Sequence, residues 1–154
     1  MKRRADTLTP DLFAWEPPKV AVGYGEDVTG RGALDNRISR AIGRALKDAK
    51  ERGQSRDAIA KRMSTYLGRA ISEDMLNKWA SEASDTHRIT LEAFIAMIDA
   101  TEAHDLMGLV VSGFGFVAVP QQYKDLIEFN MIEEHEREVA LQKQVLLARM
   151  KARR

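Results

Sequence analysis

Three histidines and no cysteine set the outer limit of the metal and nucleophile chemistry open to this 154-residue chain. The run His135-Glu136-Arg137-Glu138-Val139 begins like the His-Glu-x-x-His pattern of zinc hydrolases, in which two imidazoles one helical turn apart bind the metal and the glutamate acts as base. Val139 stands where the second imidazole is needed, so the fragment reads as a solvated helix face. His87 and His104 have no serine or ligand cluster beside them, and Gly113 with Gly115 lacks the G-x-G-x-x-G spacing of a nucleotide-binding turn. No catalytic set assembles. Neither an enzyme, a metal site nor a cofactor is expected, and without cysteine the chain can form no disulfide or thiolate site.

What remains is charge and hydrogen bonding. The net charge of +1 is a poor guide, but its distribution is informative. Residues 33–69 hold ten Lys/Arg against four Asp/Glu, whereas residues 70–112 hold two against eight. The first segment is therefore where a phosphate backbone would be attracted. An apolar fraction of 44% and a charged fraction of 31% suit a folded chain with one core, and no apolar run approaches the roughly 20 residues of a membrane span. A cytoplasmic location without membrane contact is expected.

The elements that position these charges are helical. Ile38, Ile42, Ala45, Leu46 and Ala49 share one helix face, with Arg37, Arg40, Arg44 and Lys47 on the others, until Gly53 ends the pattern. Ser55 predicts the cap of a second helix with Ile59, Ala60, Met63 and Leu67 inward until Gly68, and Ser72 that of a third with Met75, Leu76, Trp79 and Ala80. Trp79 reads as a core residue. Thr90 opens a fourth helix with Leu91, Phe94, Ile95 and Ile98 inside, and a short fifth runs from about His104 through Leu106, Leu109 and Val110 to Ser112. Residues 1–32, with three of the four prolines, predict an extended arm in which Val20, Val22 and Tyr24 alternate like a short strand. Residues 113–120 are a linker able to pair with that strand, and residues 121–154 predict a long helix free of Gly and Pro.

The run Ser55-Arg56-Asp57-Ala58-Ile59-Ala60-Lys61-Arg62-Met63, followed by Ile71-Ser72-Glu73-Asp74-Met75-Leu76-Asn77-Lys78-Trp79, resembles the helix-turn-helix of phage-repressor-like (XRE-type) DNA-binding domains. Arg88-Ile89-Thr90-Leu91-Glu92-Ala93-Phe94 onward to Leu109 is similar to that family's fourth and fifth helices, and the layout is similar to small regulatory proteins of Mu-like transposable phages. The resemblance implies an all-α fold, a five-helix domain over 33–112, with double-stranded DNA as partner. Its second motif helix would lie in the major groove while the first crosses the backbone. Ser72, Glu73, Asn77, Lys78 and Ser81 would then meet base edges, where Asn can bind adenine and Glu can accept from cytosine. Arg37, Arg40, Arg44, Arg56, Lys61, Arg62 and Arg69 would hold phosphates. Together these imply a sequence-specific regulator of transcription.

Glu73, Asp74 and Glu82 crowd the proposed reading helix with carboxylates, which favours a second reading: an adaptor that keeps this fold and binds a protein in phage replication or transposition. Leu12, Phe13 and Trp15 are too apolar for an idle tail, so the arm is expected to dock, on its own core or on a protein partner; Asp11-Leu12-Phe13 resembles the end of a sliding-clamp docking motif. In the last helix, Leu126, Ile127, Phe129, Ile132, Val139 and Leu146 are expected to be buried, either as a cover over the chain's own domain or in a homodimer contact; the second is preferred, since a single helix-turn-helix usually needs a second copy to span two half-sites.

Overall fold

A computed structural model describes residues 20–83 and 87–152. Among them are seven α-helices and no strand: α1 (Glu26–Thr29), α2 (Leu34–Glu51), α3 (Arg56–Leu67), α4 (Glu73–Trp79), α5 (Leu91–Thr101), α6 (Asp105–Ser112) and α7 (Lys124–Ala152). The protein is all-helical, and α1 to α6 form a compact unit over Val20–Ala118. Most of the arm, including Asp11, Leu12, Phe13 and Trp15, lies outside the described residues.

Local hydrogen bonds start the helices where the sequence places their caps. Ser55 Oγ accepts from Ala58 N at 3.1 Å, Ser72 Oγ from Met75 N at 3.2 Å and Thr90 Oγ1 from Ala93 N at 3.4 Å. Each satisfies one amide that the first helical turn leaves without a carbonyl partner.

The core lies chiefly between α2, α3 and α5, with Leu76 and Trp79 of α4 and Leu106 of α6 closing it. Two apolar expectations are corrected here. On α5 the buried face is Ala93, Phe94, Ala96, Met97 and Ala100, while Leu91 and Ile95 are exposed, because α5 packs against α3 across its alanines. Val110 of α6 is exposed as well.

The segment before residue 33 is also more structured than an extended arm. It contains α1, and Thr29 is buried with its Oγ1 donating to Gly25 O at 3.1 Å. The expected strand pairing reduces to one antiparallel bridge, Ala21 with Ala118, closed by bonds of 2.8 and 3.1 Å. Of the alternating residues Val20, Val22 and Tyr24, only Tyr24 packs against the core: Ala21 is buried, and Val20 and Val22 are exposed. The reason is Gly108. Residues 21–23 run so close to α6 that a Cβ at Gly108 would overlap Gly23 N, Val22 C and Ala21 O, which leaves room inside only for the smallest side chains.

Gly108→Ala is therefore expected to destabilise the unit by about 1–3 kcal/mol, the usual cost of overpacking, and to speed hydrogen exchange at the Ala21 and Ala118 amides. Unchanged exchange at both amides, measured by NMR, would refute the close approach.

Candidate functional site

The two helices that carry the candidate site are joined by the turn at residues 68–72. Gly68 caps α3 with φ 65°, a left-handed conformation that glycine adopts without strain. Ile71 then plugs into the core, and its N–H donates to Ser64 Oγ at 2.8 Å while that hydroxyl donates to Ala60 O at 2.7 Å. Ser64 thus fastens the turn back onto α3. Ala60, Leu76 and Trp79 belong to one buried cluster, which leaves the other side of α4 to solvent.

That outer side gathers most of the residues assigned to base edges. Ser72, Glu73 and Asn77 are exposed, and Lys78 and Ser81 are half-buried. Arg56, the first residue of α3, donates from Nη1 to Asn77 Oδ1 and so ties the start of one helix to the middle of the next. Lys78 Nζ lies 2.7 Å from Asp74 Oδ2, and Lys61 Nζ lies 2.7 Å from Asp57 Oδ2. The Asp57 hydrogen bond, with a smaller contribution from Glu73 across the helix pair, raises the Lys61 ammonium above its ordinary value.

The remaining cations are dispersed and engaged within the chain. Arg62 donates from Nη2 to Asp99 O at 3.0 Å and faces Glu102 at 3.4 Å, so it closes the end of α5, where Glu102 adopts φ 55°. Arg69 pairs with Glu92 at 2.6 Å, and Arg44 with Asp48 at 2.7 Å. Arg40 is the most committed. Its Nε and Nη2 grip Glu82 Oε1 and Oε2 at 2.8 and 2.7 Å, and its Nη1 donates to Thr29 O at 2.7 Å. A Cβ at Gly30 would collide with that guanidinium.

Glu82 is thus a structural counter-ion, bolting the residues after α4 to the α1–α2 corner. The fork is a bidentate, charge-assisted arrangement. No spacing rule reveals it, because 42 residues separate the partners. Arg37 stands apart. Its Nε is buried without a hydrogen-bond partner, and its side chain lines a cavity of about 630 Å³ with Leu34, Ile38, Phe94, Leu109 and Phe114, to which neither α3 nor α4 contributes.

Among the described residues no group of three or more His, Asp or Glu is placed to hold a metal ion, and no helix is long and apolar enough to cross a membrane. Comparison with protein-family models, with curated proteins and with solved structures returned no match.

The Arg40 hydrogen bond holds the Glu82 carboxyl below its ordinary value of 4.5. A carboxyl depressed in the folded state stabilises the fold above its unfolded pKa, and that contribution is lost as pH falls through the folded value. Glu82→Gln is expected to lower the melting temperature at neutral pH, with the gap to the parent protein closing as pH drops below 4.5. Melting curves from pH 3 to 8 check this; a gap that does not change with pH would remove the ion pair from the account.

Proposed function

We propose that the protein is a sequence-specific DNA-binding regulator of the repressor-like helix-turn-helix type, with α3 and α4 as the two motif helices. The observation that carries the reading is the exposed edge where Arg56 meets Asn77. It presents an amide suited to adenine, a lysine one residue on, and the cations of α3, above a core of Ala60, Leu76 and Trp79. The ion pairs of Lys61 and Arg44 are solvent-exposed contacts between residues one turn apart. Such pairs are worth about 0–1 kcal/mol, so phosphate can replace their carboxylates at little cost. Arg40 and Arg62 also bond to backbone carbonyls of other segments, and of the two only the exposed Arg62 is well placed to release its partners.

On this reading Arg56→Ala with Arg62→Ala weakens binding to every sequence and lowers the slope of log K against log salt by about two. Asn77→Ala instead costs about 1–3 kcal/mol on the cognate site and little elsewhere. A tagged full-length protein used to select fragments from genomic DNA supplies the cognate site, and fluorescence anisotropy measures both variants. Unchanged binding in both would overturn the assigned orientation.

A second reading, a protein-interaction adaptor that keeps this fold and contacts its partner through the arm and the long helix, is favoured by the carboxylate partners of five of the seven assigned phosphate contacts and by the apolar cavity at Arg37, away from α3 and α4. Deleting residues 1–19 separates the two without touching the buried Thr29 or its bond to Arg40. A regulator is expected to keep its DNA affinity and its biological effect, whereas an adaptor loses the effect.

A further inference from the structure

Helix α7 is 29 residues long and uninterrupted, and none of its residues is buried. Eleven large apolar side chains on it are exposed, a concentration well beyond the scattered surface apolars of an ordinary domain. At about 100° per residue, Phe129, Ile132, Val139, Leu146, Leu147 and Met150 fall on one side of the helix. Leu126 and Ile127 project to the opposite side with Met131, Leu141 and Val145, so the six residues assigned to a single dimer contact divide between two faces. Only the first is continuous. Glu134, Arg137 and Glu138 interrupt the second over its middle, while Ile132, Val139 and Leu146 recur every seven residues along the first.

Between Phe129 and Met150 two charged residues share the continuous face, Glu136 and Lys143, one on either side of Val139. Elsewhere on α7 opposite charges pair within the helix, Lys124 with Glu128 at 3.6 Å and Arg137 with Glu133 at 3.7 Å. Among the described residues Glu136 and Lys143 take no such partner: they stand seven residues apart, too far to meet on their own helix. The helix as a whole is polarised in the same sense. Residues 124–138 carry six acidic and two basic side chains, and residues 139–152 carry three basic and none acidic.

We infer that the continuous face of α7 binds α7 of a second copy in antiparallel orientation, with the twofold axis near Val139. A parallel pair would set Glu136 against Glu136 and Lys143 against Lys143 inside the apolar seam, where like charges are strongly disfavoured. Reversing one helix brings each Glu136 beside Lys143 of the other copy. The same reversal lays the acidic half of each helix along the basic half of its partner and sets Ile132 opposite Leu146. The contact does not depend on what α3 and α4 bind.

Because the chain has no cysteine of its own, single cysteines report the orientation directly. Full-length Ile132→Cys and Leu146→Cys, separately tagged, are mixed, equilibrated and oxidised. The antiparallel pair is expected to give the mixed 132–146 disulfide in preference to either homodisulfide, and the unmodified chain to sediment at twice 17.3 kDa. Glu136→Lys is expected to weaken self-association about tenfold or more, the equivalent of 1.4 kcal/mol, and adding Lys143→Glu to restore it. A monomer at tens of micromolar, preferred 132–132 and 146–146 disulfides, or a dimer that forms no mixed disulfide would each overturn the proposal.

Discussion

Eight alanines among the eighteen residues of the hydrophobic cluster determine how near the helices of the Val20–Ala118 unit approach one another. Small side chains let helix axes close up, and the larger residues, Ile42, Leu46, Met63, Leu76 and Met97, fill what lies between. The arrangement of α3 against α5 follows from this, as does the exposure of Leu91 and Ile95. Gly108 carries the same constraint to its limit, where a stretch of backbone rather than a side chain packs on the helix. α3 packs against α5, the turn is fastened by Ser64 and Ile71, and Leu76 and Trp79 anchor α4 in the same core.

Electrostatics is layered on that packing. The separation of basic and acidic residues along the sequence resolves in three dimensions into pairing, because folding brings the acidic segment back over the basic one. Arg40 meets Glu82, Arg62 meets Glu102 and Arg69 meets Glu92, each joining the first segment to the second. Much of the apparent charge dipole is thereby consumed in holding the unit together. Cations paired within one helical turn keep a charge that an anionic partner can claim, whereas the half-buried Arg40, forked on Glu82 and donating to Thr29 O, is part of the framework. The distinction bears on which arginines contribute affinity for an anionic partner and which contribute stability.

The long helix poses a different physical problem. Its length and composition guarantee helicity, but helicity alone buries nothing, and a single helix with apolar residues on two sides gains stability only from a neighbour. In the antiparallel pairing proposed above, the charged positions inside its continuous face would act as a selector of orientation. Buried polar groups at otherwise apolar seams commonly lower stability while specifying which way partners align.

The sequence by itself determined the helical class, the caps at Ser55, Ser72 and Thr90, the stop after α3 and the absence of thiol chemistry. All of these depend on interactions within three or four residues or on composition alone. It also marked Leu76 and Trp79 as core and Asn77 and Lys78 as the outward side of α4, since helical period separates the two faces. Tertiary structure alone decided that α5 buries its alanines, that Ala21 rather than Val20 or Val22 points inward, that Glu82 serves Arg40 and that Ser64 holds the turn. Apart from the bond of Ser64 to Ile71 seven residues on, those outcomes turn on segments far apart in the chain, with Arg40 and Glu82 42 residues apart. Their meeting is set by how closely the helices pack, and no local pattern encodes that distance.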